Sequence, residues 1–183
     1  GIVLMSATMA IFSGKILHPE WILSFLSVCS CFWLVNMSLT PLRRVFLGDA
    51  GSLYLGFTMS WMLIYYSQPP VEKLQPIAAL WCVAIPVWDT LFVIIRRLKC
   101  GASPFLPDRY HFHFILIDKG MSPAIALIVI LALSLSIGAI GIFVTYSVSP
   151  TMSLMLFSIF FAVFSYVVRF LSGNDYLFRR WSR

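Results

Sequence analysis

Long apolar stretches separated by short polar segments make up most of the chain. Five of them reach the roughly 17 to 20 residues that a helix needs to cross the hydrocarbon core of a bilayer. They span residues 21–39, 50–66, 76–95, 124–148 and 152–168. A sixth stretch, residues 1–12, is too short to cross alone and is interpreted as the end of a helix that begins upstream. The pattern predicts an all-α, polytopic membrane protein with five complete transmembrane helices and a truncated one at its N terminus.

The amino-acid composition excludes a water-soluble domain. Hydrophobic residues make up 60% of the 183 positions and charged residues only 11%, whereas soluble domains carry about 25% charged residues. The net charge of +6 would suggest nucleic acid as a partner of a soluble protein, but membrane topology explains it here, so no nucleic-acid partner is expected. We predict one membrane domain over residues 1–170, followed by a basic, aromatic tail over residues 171–183 that contacts membrane lipid.

Lys and Arg residues divide unevenly between the two sides of this predicted domain. Short cytoplasmic loops are enriched in Lys and Arg, and eleven of the thirteen lie in three alternate segments. These segments are residues 40–49, 96–123 and 169–183. The opposite side holds only Lys15 and Lys73. We therefore expect the basic segments in the cytoplasm, with a reactive site at the boundary between membrane and cytosol.

A glycine-flanked acid, Asp49, stands where the first basic segment meets the apolar stretch 50–66. Glycine lets the backbone approach a ligand closely, and Gly48 and Gly51 flank this acid. Magnesium commonly takes one or two protein carboxylates together with water and substrate phosphates. Asp49 is therefore a candidate partial ligand of Mg²⁺; the alternative is a carboxylate that only caps the start of a helix.

A second candidate site lies in the cytoplasmic segment that begins at residue 96. Its candidate residues, in a stretch punctuated by glycine and proline, are Arg96, Arg97, Asp108, Arg109, His111 and His113. Such a set suits recognition of an anionic substrate. In a helix Asp108 and His111 would share a face, whereas in an extended segment His111 and His113 would share one. The alternatives are an ordinary basic loop and, because His-x-His occurs in zinc sites, a zinc centre.

Asp89 is an acid inside the apolar stretch 76–95. A charged residue at the centre of a membrane helix costs about 2.5 to 3.5 kcal/mol on insertion scales, so its presence calls for a reason. Arg96 follows seven residues later, nearly two helical turns on, and shares its face. Asp89 is either a structural partner of Arg96 or part of the site. The catalytic candidates are Asp49, Asp89, His111 and His113.

Three motifs together resemble one family of membrane enzymes. They are FLGDAGS at 46–52, PVWDT at 86–90, and SPF followed by DRYHFH over 103–113. Their order and spacing resemble the C-terminal half of the polyprenyl-phosphate N-acetylhexosamine-1-phosphate transferases, over about residues 1–170. Within that family the chain looks closer to the undecaprenyl-phosphate enzymes that start O-antigen or common-antigen synthesis than to the muramoyl-pentapeptide transferase.

The resemblance implies transfer of an N-acetylhexosamine 1-phosphate from a UDP-N-acetylhexosamine to undecaprenyl phosphate, with release of UMP. This reaction would initiate a lipid-linked cell-surface glycan at the cytoplasmic face of a bacterial inner membrane. The implied cofactor is Mg²⁺, with Mn²⁺ as the alternative, and Asp49 matches the family's magnesium-binding Asp. Arg109, His111 and His113 match basic residues that contact the diphosphate of the donor. A homodimer is compatible with this prediction.

Two features depart from the family pattern. The family's loop commonly ends in His-x-His-His, whereas Phe114 occupies the last of these positions. The family's paired aspartates belong to an N-terminal half that would precede Gly1, so the chain alone is expected to be inactive. The alternative function is a non-catalytic membrane subunit for assembly or transport that keeps the same scaffold.

Overall fold

The computed structural model describes residues 19–36, 47–69, 74–104 and 110–173. Within these residues the chain is helical and has no strand, which confirms the predicted fold class. The helices are α1 (Pro19–Asn36), α2 (Gly48–Ser67), α3 (Pro76–Cys82), α4 (Ala84–Lys99), α5 (Phe112–Asp118), α6 (Pro123–Ser147) and α7 (Pro150–Ser172).

Helices α6 and α7 are long and apolar enough to cross a membrane, with 25 and 23 residues. Helices α3 and α4 qualify together as a third span, although the chain bends by 76° between them. The described part of the chain thus supports a membrane protein with two crossing helices, or three if the bent pair is one span. The predicted number of five complete spans stays a prediction, and residues 1–12 lie outside the described residues.

Two Ser-Pro pairs determine where α6 and α7 begin. Ser122 and Ser149 have extended backbones, and each hydroxyl accepts a hydrogen bond from the backbone N–H three residues on. The proline that follows each serine occupies the first helical position, where a missing N–H removes no helical hydrogen bond. Because only two residues connect α6 to α7, the helices return on each other as an antiparallel hairpin.

The chain divides into two compact units between Leu80 and Trp81. In the first unit the backbone N–H of Leu74 donates to the carbonyl of Tyr66 at 3.0 Å, which closes the connection from α2 to α3. Both side chains are buried there, together with Met62, Leu63 and Ala78. The predicted division into a domain over 1–170 and a tail over 171–183 stays a prediction, and residues 174–183 lie outside the described part of the chain.

The second unit packs around the short helix α5. Buried side chains of α4, α5, α6 and α7 form one hydrophobic cluster there: Phe92, Val93, Phe112, Ile115, Leu116, Ala126 and Val168. The segment predicted as a cytoplasmic loop therefore contains a packed helix. Its buried residues lie at positions 112, 115 and 116, the spacing of one helical face.

Helix α4 is longer than the apolar pattern predicts. It continues past Ile95 through the basic residues and ends at Lys99. Arg and Lys are good helix formers, and cations in the last turn interact favourably with the partial negative charge of the helix C terminus. Arg96 and Arg97 are therefore helical residues and do not lie in a loop.

Candidate active site

Asp89 of α4 binds the start of α5 with both oxygens of its carboxylate. Its Oδ2 lies 2.8 Å from Nδ1 of His111, and its Oδ1 accepts the backbone N–H of Phe112 at 2.8 Å. The Asp89 side chain is 16% exposed and the His111 side chain 34%. His111 and Phe112 follow Asp89 in the chain by 22 and 23 residues. The membership of Asp89 in a functional site stays a prediction.

The start of α5 explains why this contact forms. His111 precedes the helix with an extended backbone, at φ −68° and ψ 147°, and its own side chain makes no capping hydrogen bond. The first N–H groups of a helix have no partner within the helix. Asp89 supplies an acceptor for one of them, and a carboxylate is favoured beside the positive end of a helix. Helix α5 is therefore capped by a side chain of a different helix.

The site lies well back along α4 from its cationic end. Asp89 precedes Lys99 by ten residues, which correspond to about 15 Å of helix. His111 therefore contacts α4 nearly three helical turns before the end of that helix.

Arg96 and Arg97 contact residues on either side of positions 105–109, which lie outside the described residues. The guanidinium of Arg96 lies 3.4 Å from the centroid of the Tyr110 ring, and Nη1 of Arg97 donates to the carbonyl of Pro104. Both arginines are buried, at 6% and 9% exposure. Buried guanidinium groups require partners, and these contacts provide them. The predicted role of both residues in substrate binding stays a prediction.

The two histidines lie side by side. The ring centroids of His111 and His113 are 5.9 Å apart and the ring planes differ by 16°. The two rings face each other although only His111 is extended and His113 lies in the first turn of α5. The alternative that pairs Asp108 with His111 lies outside the described residues. Partial burial, and then electrostatic repulsion by His111, lower the pKa of His113 below its ordinary 6.5, and Asp89 opposes this. Burial thus favours the neutral form of the His113 imidazole.

Asp49 is an exposed residue in the first turn of α2, within the first unit. Gly48 before it has a φ of +68°, a left-handed conformation that is strained for residues with a Cβ. This explains the glycine on that side of the acid. Asp49 is the second residue of the helix, and Leu47 holds the capping position without a side-chain hydrogen bond. An exposed carboxylate of this kind fits a partial ligand of Mg²⁺, which completes its coordination with water and phosphate oxygens.

Some predicted residues fall outside the described chain. Asp108 and Arg109 are among them. In the four ranges that the structure describes, no group of three or more His, Cys, Asp or Glu side chains could hold a metal ion. The zinc alternative thus has no third ligand beside His111 and His113 within those ranges.

Sequence reasoning missed two members of the arrangement. One is Tyr110, whose ring lies under Arg96; the other is the backbone N–H of Phe112. An aromatic residue immediately before the His-x-His pair was a weak signal for the first. No sequence signal indicates that a carboxylate 23 residues earlier accepts a backbone N–H, because this depends on how α4 and α5 pack.

Comparison with known proteins gives relatives of one kind. No family model and no solved structure matches the chain. Curated proteins named undecaprenyl-phosphate alpha-N-acetylglucosaminyl 1-phosphate transferase do match. That of Escherichia coli strain K12 is 32% identical over 161 residues, which are 86% of this chain and 44% of the relative. That of Yersinia pestis is 34% identical over 161 residues, again 86% of this chain and 44% of the relative. That of Haemophilus influenzae is 31% identical over 93% of this chain and 48% of the relative.

These relatives agree with the family that the three motifs indicate. The matches cover most of this chain, but the chain spans about half the length of the curated relatives. The resemblance stated from the motifs is thus confirmed, and this chain is homologous to a part of the undecaprenyl-phosphate alpha-N-acetylglucosaminyl 1-phosphate transferases.

Proposed function

We propose that this chain is part of an enzyme that transfers N-acetylglucosamine 1-phosphate from UDP-N-acetylglucosamine to undecaprenyl phosphate. The observation that carries the proposal is 31 to 34% identity, over 86 to 93% of the chain, to proteins named for this transfer. An oxygen of the acceptor phosphate attacks the β-phosphorus of the donor. The bond from this phosphorus to the bridging oxygen breaks, and UMP leaves with the electron pair. The product is a diphosphate-linked lipid.

The donor diphosphate is bound by Arg109, His111 and His113, and Asp108 belongs to the same substrate-binding segment. The paired rings at 5.9 Å support this role, since two imidazoles side by side can contact neighbouring phosphate oxygens. Arg96 and Arg97 belong to the same substrate-binding set, and their guanidinium groups contact Tyr110 and Pro104.

Asp49 would hold Mg²⁺, or Mn²⁺ in its place. A divalent cation supplies charge neutralisation of phosphate oxygens when it is bound. The exposed carboxylate at the start of α2 supports this assignment. The active face is the cytoplasmic side of a bacterial inner membrane, a proposal supported by the basic segments of the sequence.

The test uses membranes that contain the complete gene product, supplied with radiolabelled UDP-N-acetylglucosamine, undecaprenyl phosphate and Mg²⁺. We expect release of UMP together with a labelled lipid. Asp49→Asn should lower the rate by on the order of 100-fold, as loss of a group that stabilises charge in an active site commonly does. The matched control on the same helix is Ser60→Ala, because the Ser60 hydroxyl donates to the Gly56 carbonyl of its own helix. This variant should keep the wild-type rate.

Each contrary result has a definite meaning. No UMP release by the complete gene product would reject the transferase and favour the non-catalytic subunit. Full activity of Asp49→Asn would reject the magnesium assignment. Hydrolysis that depends on zinc and requires no lipid acceptor would favour the zinc alternative. The 183-residue chain alone is expected to be inactive.

A further inference from the structure

The geometry points to Asp89 as a positioning residue that determines which nitrogen of His111 is presented to the donor substrate. Its carboxylate binds Nδ1 of the ring, so that Nε2 is the nitrogen left for a ligand. The identity of the substrate rests on the proposed function, whereas the arrangement of Asp89 and His111 does not.

The chemistry of the carboxylate decides where the proton lies. An ionised carboxylate only accepts hydrogen bonds. Because Oδ2 lies 2.8 Å from Nδ1 of His111, the proton of this contact belongs to Nδ1. The partner of one ring nitrogen fixes the tautomer and leaves the other nitrogen with a defined role. Nε2 is therefore the atom through which His111 acts.

The second oxygen of Asp89 makes this orientation rigid. Oδ1 accepts the backbone N–H of Phe112, the residue directly after His111. The carboxylate thus binds a side chain and a backbone group of two successive residues, and it cannot rotate without losing one of these bonds. The stacked ring of His113 bounds the same imidazole on another side. His111 is consequently held by its backbone, by Nδ1 and by its ring face.

A capping role alone does not account for an acid at this position. An asparagine in place of Asp89 could still accept the Phe112 N–H with its amide oxygen, and a neutral residue is less costly inside an apolar helix. The amide nitrogen would then face Nδ1 of His111 and donate to it. This contact reverses the tautomer and places the proton on Nε2. Such a ring could still donate from Nε2, but it could not also carry a proton on Nδ1, because that nitrogen accepts from the amide. Only the acid both caps α5 and allows both nitrogens of His111 to be protonated.

The same contact suits a phosphate ligand. A phosphate oxygen requires a hydrogen-bond donor, so Nε2 must carry a proton when it contacts one. With Nδ1–H already bound to Asp89, the ring then carries a positive charge. The carboxylate balances this charge from the side away from the ligand. Asp89 itself need not touch the substrate.

A double-mutant cycle on the complete gene product in membranes tests the proposal. We expect Asp89→Asn to lower kcat by about 10- to 100-fold, the usual effect of removing a residue that orients a reactive histidine, with a smaller change in KM for UDP-N-acetylglucosamine. In a His111→Gln background the same change should alter kcat by less than about 2-fold, because Asp89 acts through His111. If Asp89→Asn lowers kcat by the same factor in the wild-type and His111→Gln backgrounds, the proposal is overturned.

Thr90→Ala is the matched control. Thr90 is the exposed neighbour of Asp89, and its hydroxyl donates to the Pro86 carbonyl of the same helix. This variant removes a polar group one residue away from Asp89 without changing the contact to His111. A loss of kcat as large as that of Asp89→Asn would show that any polar change in this turn is damaging, and would overturn the assignment to the carboxylate.

A measurement on the purified protein is independent of activity. In protein labelled with ¹⁵N-histidine, the signals of His111 are assigned by their loss in His111→Gln. We expect a proton on Nδ1 in the wild-type protein and on Nε2 in Asp89→Asn. A wild-type ring protonated only on Nε2 would overturn the proposal, even if Asp89→Asn does not fold. The expected tautomer in a protein without transferase activity would reject the proposed function and leave the positioning role of Asp89 intact.

Discussion

Gly141 of α6 packs directly against the indole of Trp81. A Cβ built on Gly141 would lie closer than 3.0 Å to three atoms of this side chain, a separation that real Cβ atoms essentially never show. Trp81 is 1% exposed, and its Nε1 donates to Oγ of Ser153 in α7 at 3.0 Å. The absence of a side chain at position 141 is what allows α6 to approach so closely, as small residues do between membrane helices.

Replacement of this glycine should destabilise the second unit. Gly141→Ala forces Trp81 or α6 to move, and overpacking of this kind costs about 1 to 3 kcal/mol. Gly138→Ala is the control, since Gly138 is buried on the same helix but has open space at its Cβ position. It should be neutral or stabilising by up to about 1 kcal/mol, because alanine is the better helix former. Thermal unfolding in detergent measures both, and equal effects would contradict the close packing.

The hydroxyl of Ser153 should also contribute to stability. It accepts the Trp81 N–H and lies 3.2 Å from the hydroxyl of Thr145, and all three residues are buried. Ser153→Ala leaves the indole N–H without its acceptor, so we expect a loss of about 0.6 to 1.7 kcal/mol, the range measured between membrane helices. Ser158→Ala is the control, because this exposed hydroxyl donates to Leu154 within α7. Unfolding in a mild denaturing detergent measures the free energy of unfolding of both variants. An equal loss of stability in Ser153→Ala and Ser158→Ala would contradict a special role of Ser153.

The contact between Arg96 and Tyr110 should depend on the aromatic ring. A guanidinium over an aromatic face contributes about 0.5 to 2 kcal/mol, with the larger value for a desolvated pair, and Arg96 is 6% exposed. Tyr110→Leu should lower the free energy of unfolding by an amount in this range. Tyr110→Phe keeps the ring and should retain most of this stabilisation. If the Phe variant is as unstable as the Leu variant, the hydroxyl and not the ring is responsible.

The lowered pKa of His113 makes stability depend on pH. Between its lowered value in the folded protein and its ordinary 6.5, the unfolded chain binds more protons at this position than the folded one. The free energy of unfolding should therefore rise with pH through this window. The contribution of His113 to stability is fully present above pH 6.5 and is lost as the pH falls through the window. His113→Gln should flatten the dependence. Thermal unfolding at a series of pH values tests this, and identical curves for the two proteins would contradict it.

Much of the fold follows from local sequence. The apolar stretches predict the helices, and the Ser-Pro pairs at residues 122–123 and 149–150 mark where α6 and α7 begin. These features rest on interactions within a few residues of each other, such as capping and helical periodicity. The bend of 76° between α3 and α4 was not predicted, because the apolar pattern continues through it.

The candidate site was predicted as a set of residues but not as an arrangement. Asp89, His111 and His113 were selected by type and by their places in the chain. Spacing left two arrangements of the histidines open, and it offered Arg96 as a partner of Asp89. The structure instead pairs Asp89 with His111, because α5 folds back against α4 and carries His111 with it.

The sequence by itself determined that this is a helical membrane protein, and it selected the residues proposed to form the site. Hydrophobic length, charge asymmetry and motif order are properties of the chain alone. Only the tertiary structure decided that Asp89 caps α5 and orients His111, and that Gly141 accommodates Trp81. Such contacts join residues that are far apart in the chain, and they form only when apolar side chains bring the helices together. No local pattern specifies which atoms then meet.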